Sequence, residues 1–169
     1  MARATHRERG WWEEYRDTLP PRFLDVAEME HHAVALRVAQ VINIPGLLQT
    51  PEHTRALFAV RQPAYSEDEI DRQVSARMAR QRIFERTPAP LLTFVQEEVT
   101  LRRPIGGRMV LRRQLEHLLA IGALRHVRIQ VMPTNSEDHA GMGGPLQLLK
   151  LRDGKTLGHS EGQLHSRLI

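Results

Sequence analysis

Ile44-Pro45-Gly46-Leu47-Leu48-Gln49-Thr50-Pro51 is the stretch on which the reading of the fold turns. Proline fixes φ and glycine readily takes φ > 0, so Pro45-Gly46 predicts a tight turn of the type II kind. Turns usually face water, yet Ile44, Leu47 and Leu48 call for burial. The segment therefore reads as a strand exit feeding a helix, with Thr50 as its cap and Pro51 as its first residue. Two roles stay open for it: a buried structural corner, or a surface that recognises a ligand or partner.

Upstream, Leu36-Val38 and Val41-Ile42 predict a strand running up to Pro45. Before it, Phe23, Val26, Ala27 and Val34 fall on one side of a helical wheel, with Glu30 in the middle of that side. Trp11-Trp12-Glu13-Glu14-Tyr15 gathers both tryptophans. Neighbours on a helix point about 100° apart, so one ring packs inside and the other covers a neighbouring element or a partner. Residues 1–10, with Arg3, Arg7 and Arg9, read as a basic, solvated lead-in ending at Gly10.

Downstream, a short helix from Pro51 to about Val60 is broken by Gln62-Pro63. Ser66-Glu67-Asp68-Glu69 is a capping box for the next helix, expected to reach about Glu85. Ile70, Val74, Met78 and Phe84 form its stripe. Arg77 and Gln81 lie in the centre of that stripe, whereas Arg72, Arg80, Arg82 and Arg86 lie off it. Leu91 to Val95 predicts a buried strand. The turn Gly106-Gly107 leads into a helix with Leu111, Leu115, Leu118, Leu119 and Gly122 on one face. Val127, Ile129 and Val131 alternate with polar residues as in a strand. Pro133 to Pro145 is a long polar loop, and the segments 146–151 and 155–160 form a hairpin around Asp153-Gly154. The chain ends in the apolar Leu168-Ile169. The class is α+β: N-terminal helices followed by a mixed sheet with a packed helix and a C-terminal hairpin. One domain over residues 11–169 is expected.

Composition narrows the function. The 169 residues are 41% hydrophobic and 26% charged, and the formal charge of +4 comes almost entirely from arginine. That excess permits acidic partners without demanding nucleic acid. Arg102, Arg103, Arg108, Arg112 and Arg113 make a basic neighbourhood, but Glu97, Glu98 and Glu116 dilute it and aromatic interleaving is missing. With no cysteine, disulfides, thiolate zinc sites and thiol nucleophiles are excluded, which suits the cytoplasm. No apolar run approaches a membrane span. Nine histidines invite a metal reading, but no His-x-x-x-His spacing supports one. His117, His126, His159 and His165 are expected on exposed faces or turn edges. There is no nucleophile elbow, and the glycines of 141–144 precede a strand instead of opening a helix, so no phosphate cradle is expected. No cofactor and no metal are called for.

The sharpest feature is a carboxylate and a guanidinium each set in an apolar helix face. Neither charge tolerates burial alone. Glu30 is expected to meet Arg77, or Arg77 to meet Glu97 or Glu98 at the strand end. A sealed ion pair that fixes helix docking and an open pocket whose arginine holds an anion bidentately both satisfy this.

Arg9-Gly10-Trp11-Trp12, Glu30, Pro45-Gly46-Leu47-Leu48-Gln49-Thr50, Arg77 with Arg80-Gln81, Glu98 with Leu101-Arg102-Arg103, Gln114-Leu115 and Val131-Met132-Pro133 occur in this order. The pattern resembles the antitoxin-like domain that follows an XRE-type (Cro/repressor-like) helix-turn-helix in actinobacterial regulators, over essentially the whole chain. The resemblance implies the regulatory or partner-binding half of a cytoplasmic transcriptional regulator. DNA would be reached only through a helix-turn-helix absent from this chain. The implied partners are a small protein encoded nearby, a small ligand, or a second copy of the chain. The implied site comprises Glu30, Pro45, Gly46, Leu47, Leu48, Gln49, Thr50, Arg77, Arg80, Gln81, Glu98 and Arg102. The alternatives are an enzyme in which Arg77 holds an anionic substrate and Glu98 moves a proton, and a pure dimerisation scaffold. Two departures stand out. His53-Thr54 replaces the usual Tyr-Ala, and the family pattern continues past Ile169, which implies a chain shortened at its C-terminus.

Overall fold

In the computed structural model, residues 10–139, 143–161 and 166–168 are described. The lead-in before Gly10, His165 and Ile169 lie outside them. Trp11–Tyr15 forms a 3-10 turn in which Trp12 is buried and Trp11 meets it edge-on, ring centroids 6.3 Å apart. This is the division that adjacent tryptophans require. Helix α1, Pro21–His32, starts on a proline whose missing N–H would have had no helical partner. It buries Val26, Ala27 and Glu30. Val34, expected on this helix, lies instead in strand β1, Ala33–Gln40. The apolar run from Ala33 finds strand partners on both sides, so the strand starts earlier than expected and stops before Val41.

Helix α2, Pro51–Ala59, follows the apolar turn, and α3, Glu67–Arg80, follows the capping box. There Ser66 Oγ accepts from the Glu69 N–H at 3.3 Å and the Glu69 carboxylate accepts from the Ser66 N–H at 2.7 Å. The expected helix to Glu85 is α-helical only to Arg80 and finishes as a 3-10 segment, Gln81–Glu85, that buries Ile83 and Phe84. Next come β2, Leu91–Glu97, α4, Glu98–Arg102, and α5, Arg108–Gly122. Gly106 and Gly107, at φ +75° and +100°, make the corner into α5, a conformation that side chains with a Cβ disfavour. The chain closes with β3, Val127–Met132, the hairpin β4, Leu146–Leu151, and β5, Thr156–Glu161, and a short β6, Ser166–Leu168.

The sheet order is β3-β2-β1-β4-β5-β6. β1, β2 and β3 run parallel, and helical connections supply the crossovers that parallel neighbours need. From β4 onward each strand is antiparallel to its neighbour. The class is therefore α+β with a mixed sheet and a C-terminal hairpin, as the sequence predicts. Leu36 lies between Leu92 and Leu149, and Phe94 between Val38 and Ile129, which sets the apolar side chains on one face. Met29, Phe84, Leu101, Leu115, Leu118 and Ile121 from the helical segments pack onto that face. On the other face Ala35, Arg37, Leu91, Thr93, Val95, Arg128 and Leu146 are all at least partly exposed. Among the described residues two layers result, with the helices on one side of the sheet.

Several expectations of burial are corrected. Leu119 is 78% exposed, because it lies about 100° round α5 from the buried Leu118. His159 is buried on β5 beside Gln147, and His117 and His126 are half-buried, not exposed. Among the described residues, no helix is long and apolar enough to cross a membrane.

Candidate functional site

The apolar turn is buried, and its conformation is not type II. Pro45 has φ −52° and ψ 137°, as that turn requires, but Gly46 is not among the glycines with positive φ. Gly46–Leu48 instead winds as a 3-10 turn, with the Leu48 N–H donating to the Pro45 carbonyl at 2.8 Å. Gly46 instead lies beside two arginines. A Cβ there would stand 3.4 Å from Arg77 Nε and 3.5 Å from Arg80 Nη1. Both guanidinium groups thus lie against the backbone at 46, at distances that are ordinary contact for a Cβ.

Ile44, Leu47 and Leu48 are sealed in the core. A buried loop must find partners for its own polar backbone, and side chains from several helices provide them. Gln114 of α5, fully buried, donates from Nε2 to the Leu48 carbonyl at 2.6 Å and accepts the Thr50 N–H at 2.7 Å. Gln81, at the end of α3, donates to the Gln49 carbonyl at 2.7 Å. Gln49 itself donates to the Ile44 carbonyl at 2.6 Å, while its Oε1 accepts Arg77 Nη1 at 2.7 Å and Thr54 Oγ1 at 3.0 Å. Thr50 caps α2 by accepting the His53 N–H at 3.3 Å, and Pro51 is the first helical residue, as predicted.

Glu30 is buried to 3% exposure, and its partner is Arg80 rather than Arg77. Arg80 Nε donates to Glu30 Oε2 at 2.7 Å and Nη2 to Oε1, and Gln147 of β4 donates to that same Oε1. Arg80 sits off the apolar stripe by its position, but its long side chain reaches back across the helix. Arg86, also off the stripe, donates to the Glu30, His31 and Ala33 carbonyls and so closes the end of α1. Burial and the nearby Arg152 cation lower the Arg86 pKa. The expected pair is thus divided: Arg80 neutralises Glu30, and Arg77 binds the turn.

Between the turn, α1, α3 and the hairpin lies a cavity of about 500 Å³. Pro45, Gly46, Leu47, Gln49, Arg77 and Arg80 all border it. Its guanidinium groups are laid on rings: Arg77 on Phe58 at 4.7 Å, Arg80 on Phe23 at 5.2 Å, and Arg61 on Tyr65 at 4.3 Å from the centroids. Such stacking fixes the plane of each guanidinium. A smaller hollow of about 220 Å³ lies beside Glu30 against Trp11, His31 and Arg86.

A model of the family described as "Domain of unknown function (DUF5753)" matches residues 23–169. The chain belongs to this family. No curated protein and no solved structure matches it.

Within this DUF5753 domain the predicted site residues separate into two groups. Glu30, Pro45 to Thr50, Arg77, Arg80 and Gln81 come together around the turn and the cavity. Glu98 and Arg102 do not border that cavity. They pair with each other on α4, Arg102 Nε to Glu98 Oε1 at 2.9 Å. The Thr134 N–H, followed by Arg102, holds the Glu98 carboxyl down to about 2. Glu97 instead faces His139 at 3.4 Å. Gln114, Gln147, Arg86 and His53 are structural residues that the sequence reading left out of the site. Gln114 carried a usable signal, since it interrupts the apolar stripe of Leu111, Leu115 and Leu118 as Glu30 interrupts that of α1. Gln147 likewise shares a strand face with the buried Leu149.

Proposed function

We propose that this DUF5753 domain is the regulatory half of an XRE-type transcriptional regulator, working in the cytoplasm by binding a small ligand or a partner protein. The observation that carries the reading is convergence. Two separated stretches that bear the resemblance border one cavity, Pro45, Gly46, Leu47 and Gln49 from one and Arg77 and Arg80 from the other, and Glu30 from a third is paired with Arg80 behind it. A rigid turn clamped by four helical segments gives such a cavity a fixed wall. In this reading, occupancy of the cavity alters how α1 and α3 dock, and that change is what a DNA-reading part would sense. The enzymatic alternative needs Arg77 and Glu98 in one site. Glu98 lies away from the cavity, and hydrogen bonds from Thr134 and Arg102 hold its carboxyl at about 2, which makes it a poor proton acceptor as well as an ionised one.

The test is in the host. Deleting the coding sequence is expected to change transcript levels of the adjacent operon, and restoring the chain together with its helix-turn-helix partner is expected to reverse this. Unchanged transcripts across the genome would remove the regulatory reading.

A further inference from the structure

The cavity lies on the sheet face that carries Val38 and Phe94, and the opposite face has a character of its own. Parallel strands are usually covered on both faces, yet among the described residues the helices cover β1, β2 and β3 on one. On the open face β2 presents Leu91 and Val95, and β4 presents Leu146 and Leu148. Between them β1 presents only Ala35 and Ala39 beside Arg37, so the middle strand lies low. The result is a shallow apolar trough along β1. Its two rails are two strand spacings apart, about 10 Å, which matches the width of one α-helix. Leu91 is 65% exposed and Leu146 39%, so the described residues leave the trough unfilled.

Arg37 rises from the middle of the trough, level with Thr93 and Leu148, and Arg128 and Lys150 stand on either side. All three are exposed, and among the described residues none has a side-chain ion-pair or hydrogen-bond partner. The acids at the rim are already engaged: Glu97 faces His139 at 3.4 Å and Asp153 faces Lys155 at 3.3 Å. We infer that the trough seats an acidic amphipathic helix of a partner protein, with an Asp or Glu in its apolar stripe to meet Arg37. Covering Arg37 without such a carboxylate would strand a charge, whereas a two-point pair keeps it satisfied. Other occupants fit less well. A second copy would set the same three cations against themselves. A nucleic acid would find no ring to stack on and would leave the leucines wet.

The probe is a display library of a three-helix scaffold, one helix face randomised among acidic, basic, polar and apolar residues, selected against the whole chain. Enriched binders are expected to share an apolar stripe with acids beside and within it. As purified proteins they are expected to weaken at least about tenfold on Arg37→Glu and at least about threefold on Arg37→Gln or Leu91→Thr. Arg112→Gln, on α5 across the sheet, is expected to leave them unchanged. Positions 37 and 91 are exposed, so Tm of these variants is expected to stay within about 2 °C of the parent. The inference is overturned if no binder emerges, if basic or uncharged faces dominate, or if the binders ignore both Arg37→Glu and Leu91→Thr. It is equally overturned if phosphatidylglycerol vesicles or duplex DNA displace the binders, or if the chain alone sediments as a dimer that Leu91→Thr dissociates. Neither the cavity nor the regulatory reading enters these outcomes, and the transcript experiment stands or falls by itself.

Discussion

His53 lies on the inner side of α2 with 1% of its surface exposed, and among the described residues neither ring nitrogen has a hydrogen-bond partner. Leaving a buried polar group unpaired costs about 1–3 kcal/mol, and His53 leaves two nitrogens in this state. Burial, and then the Arg77 cation, push its pKa below the ordinary 6.5. The unfolded chain therefore takes up a proton near pH 6.5 that the folded chain takes up only at lower pH. Stability from this site is complete above the unfolded value and is lost as pH falls from there through the lower folded-state pKa. His117 is shifted in the same direction by burial. Replacing His53→Leu removes the unpaired nitrogens and keeps the volume close. The variant is expected to gain about 1 kcal/mol at pH 7. It is also expected to lose less stability than the parent on going to pH 5, with His117 supplying the remaining slope. Urea melts at both pH values measure this, and an unchanged slope with lower stability at pH 7 would show that the imidazole is satisfied.

At the scale of elements, the turn at Pro45–Thr50 is held less by its own sequence than by what reaches it. The capping box of α3, the Thr50-Pro51 start of α2 and the strand alternation of β3 were all legible, because each is decided within a few residues. The partners of the turn were not. A helical wheel with its ~3.6-residue period places Arg80 about 60° from Arg77, which is less than the reach of an arginine side chain. Azimuth alone therefore cannot choose between them, and Glu30 took the arginine that the wheel had set aside. Gln114 makes the same point with a consequence for stability. One amide serves both the Leu48 carbonyl and the Thr50 N–H, so Gln114→Leu leaves a buried acceptor and a buried donor without partners. A loss of about 2–4 kcal/mol is expected. Leu119→Gln on the outer face of the same helix is expected to stay within about 0.5 kcal/mol. Chemical denaturation of the two variants decides the matter. A Gln114→Leu loss below that of Leu119→Gln would mean that water replaces the amide and the turn is not clamped from α5.

For the whole molecule, the class was legible and the order of the strands was not. Strands near Leu36, from Leu91 and from Val127 each declare themselves locally, the first with bounds shifted to Ala33–Gln40, but their parallel pairing joins segments separated by whole helical crossovers. The structure covers one face of β2 and leaves the other open. Leu92 and Phe94 point toward the helices, whereas Leu91, Thr93 and Val95 point away, and Leu91 is 65% exposed beside Ala35. A continuous apolar run suggested burial on both sides. The parallel strands have helices on only one, and Arg37, Arg128 and Lys150 keep the other face wetted. Substitutions three residues apart on β2 should therefore behave in opposite ways. Phe94 touches the core at 0% exposure, so Phe94→Ala removes a ring and leaves a cavity, at an expected cost of about 3–5 kcal/mol. Leu91→Thr keeps a residue that suits a strand and gives up little burial, so its cost is expected to stay within about 0.5 kcal/mol. Paired urea melts test the layering. Equal losses at 91 and 94 would place a second apolar layer over the face that carries Leu91, and the two-layer architecture would fall with it.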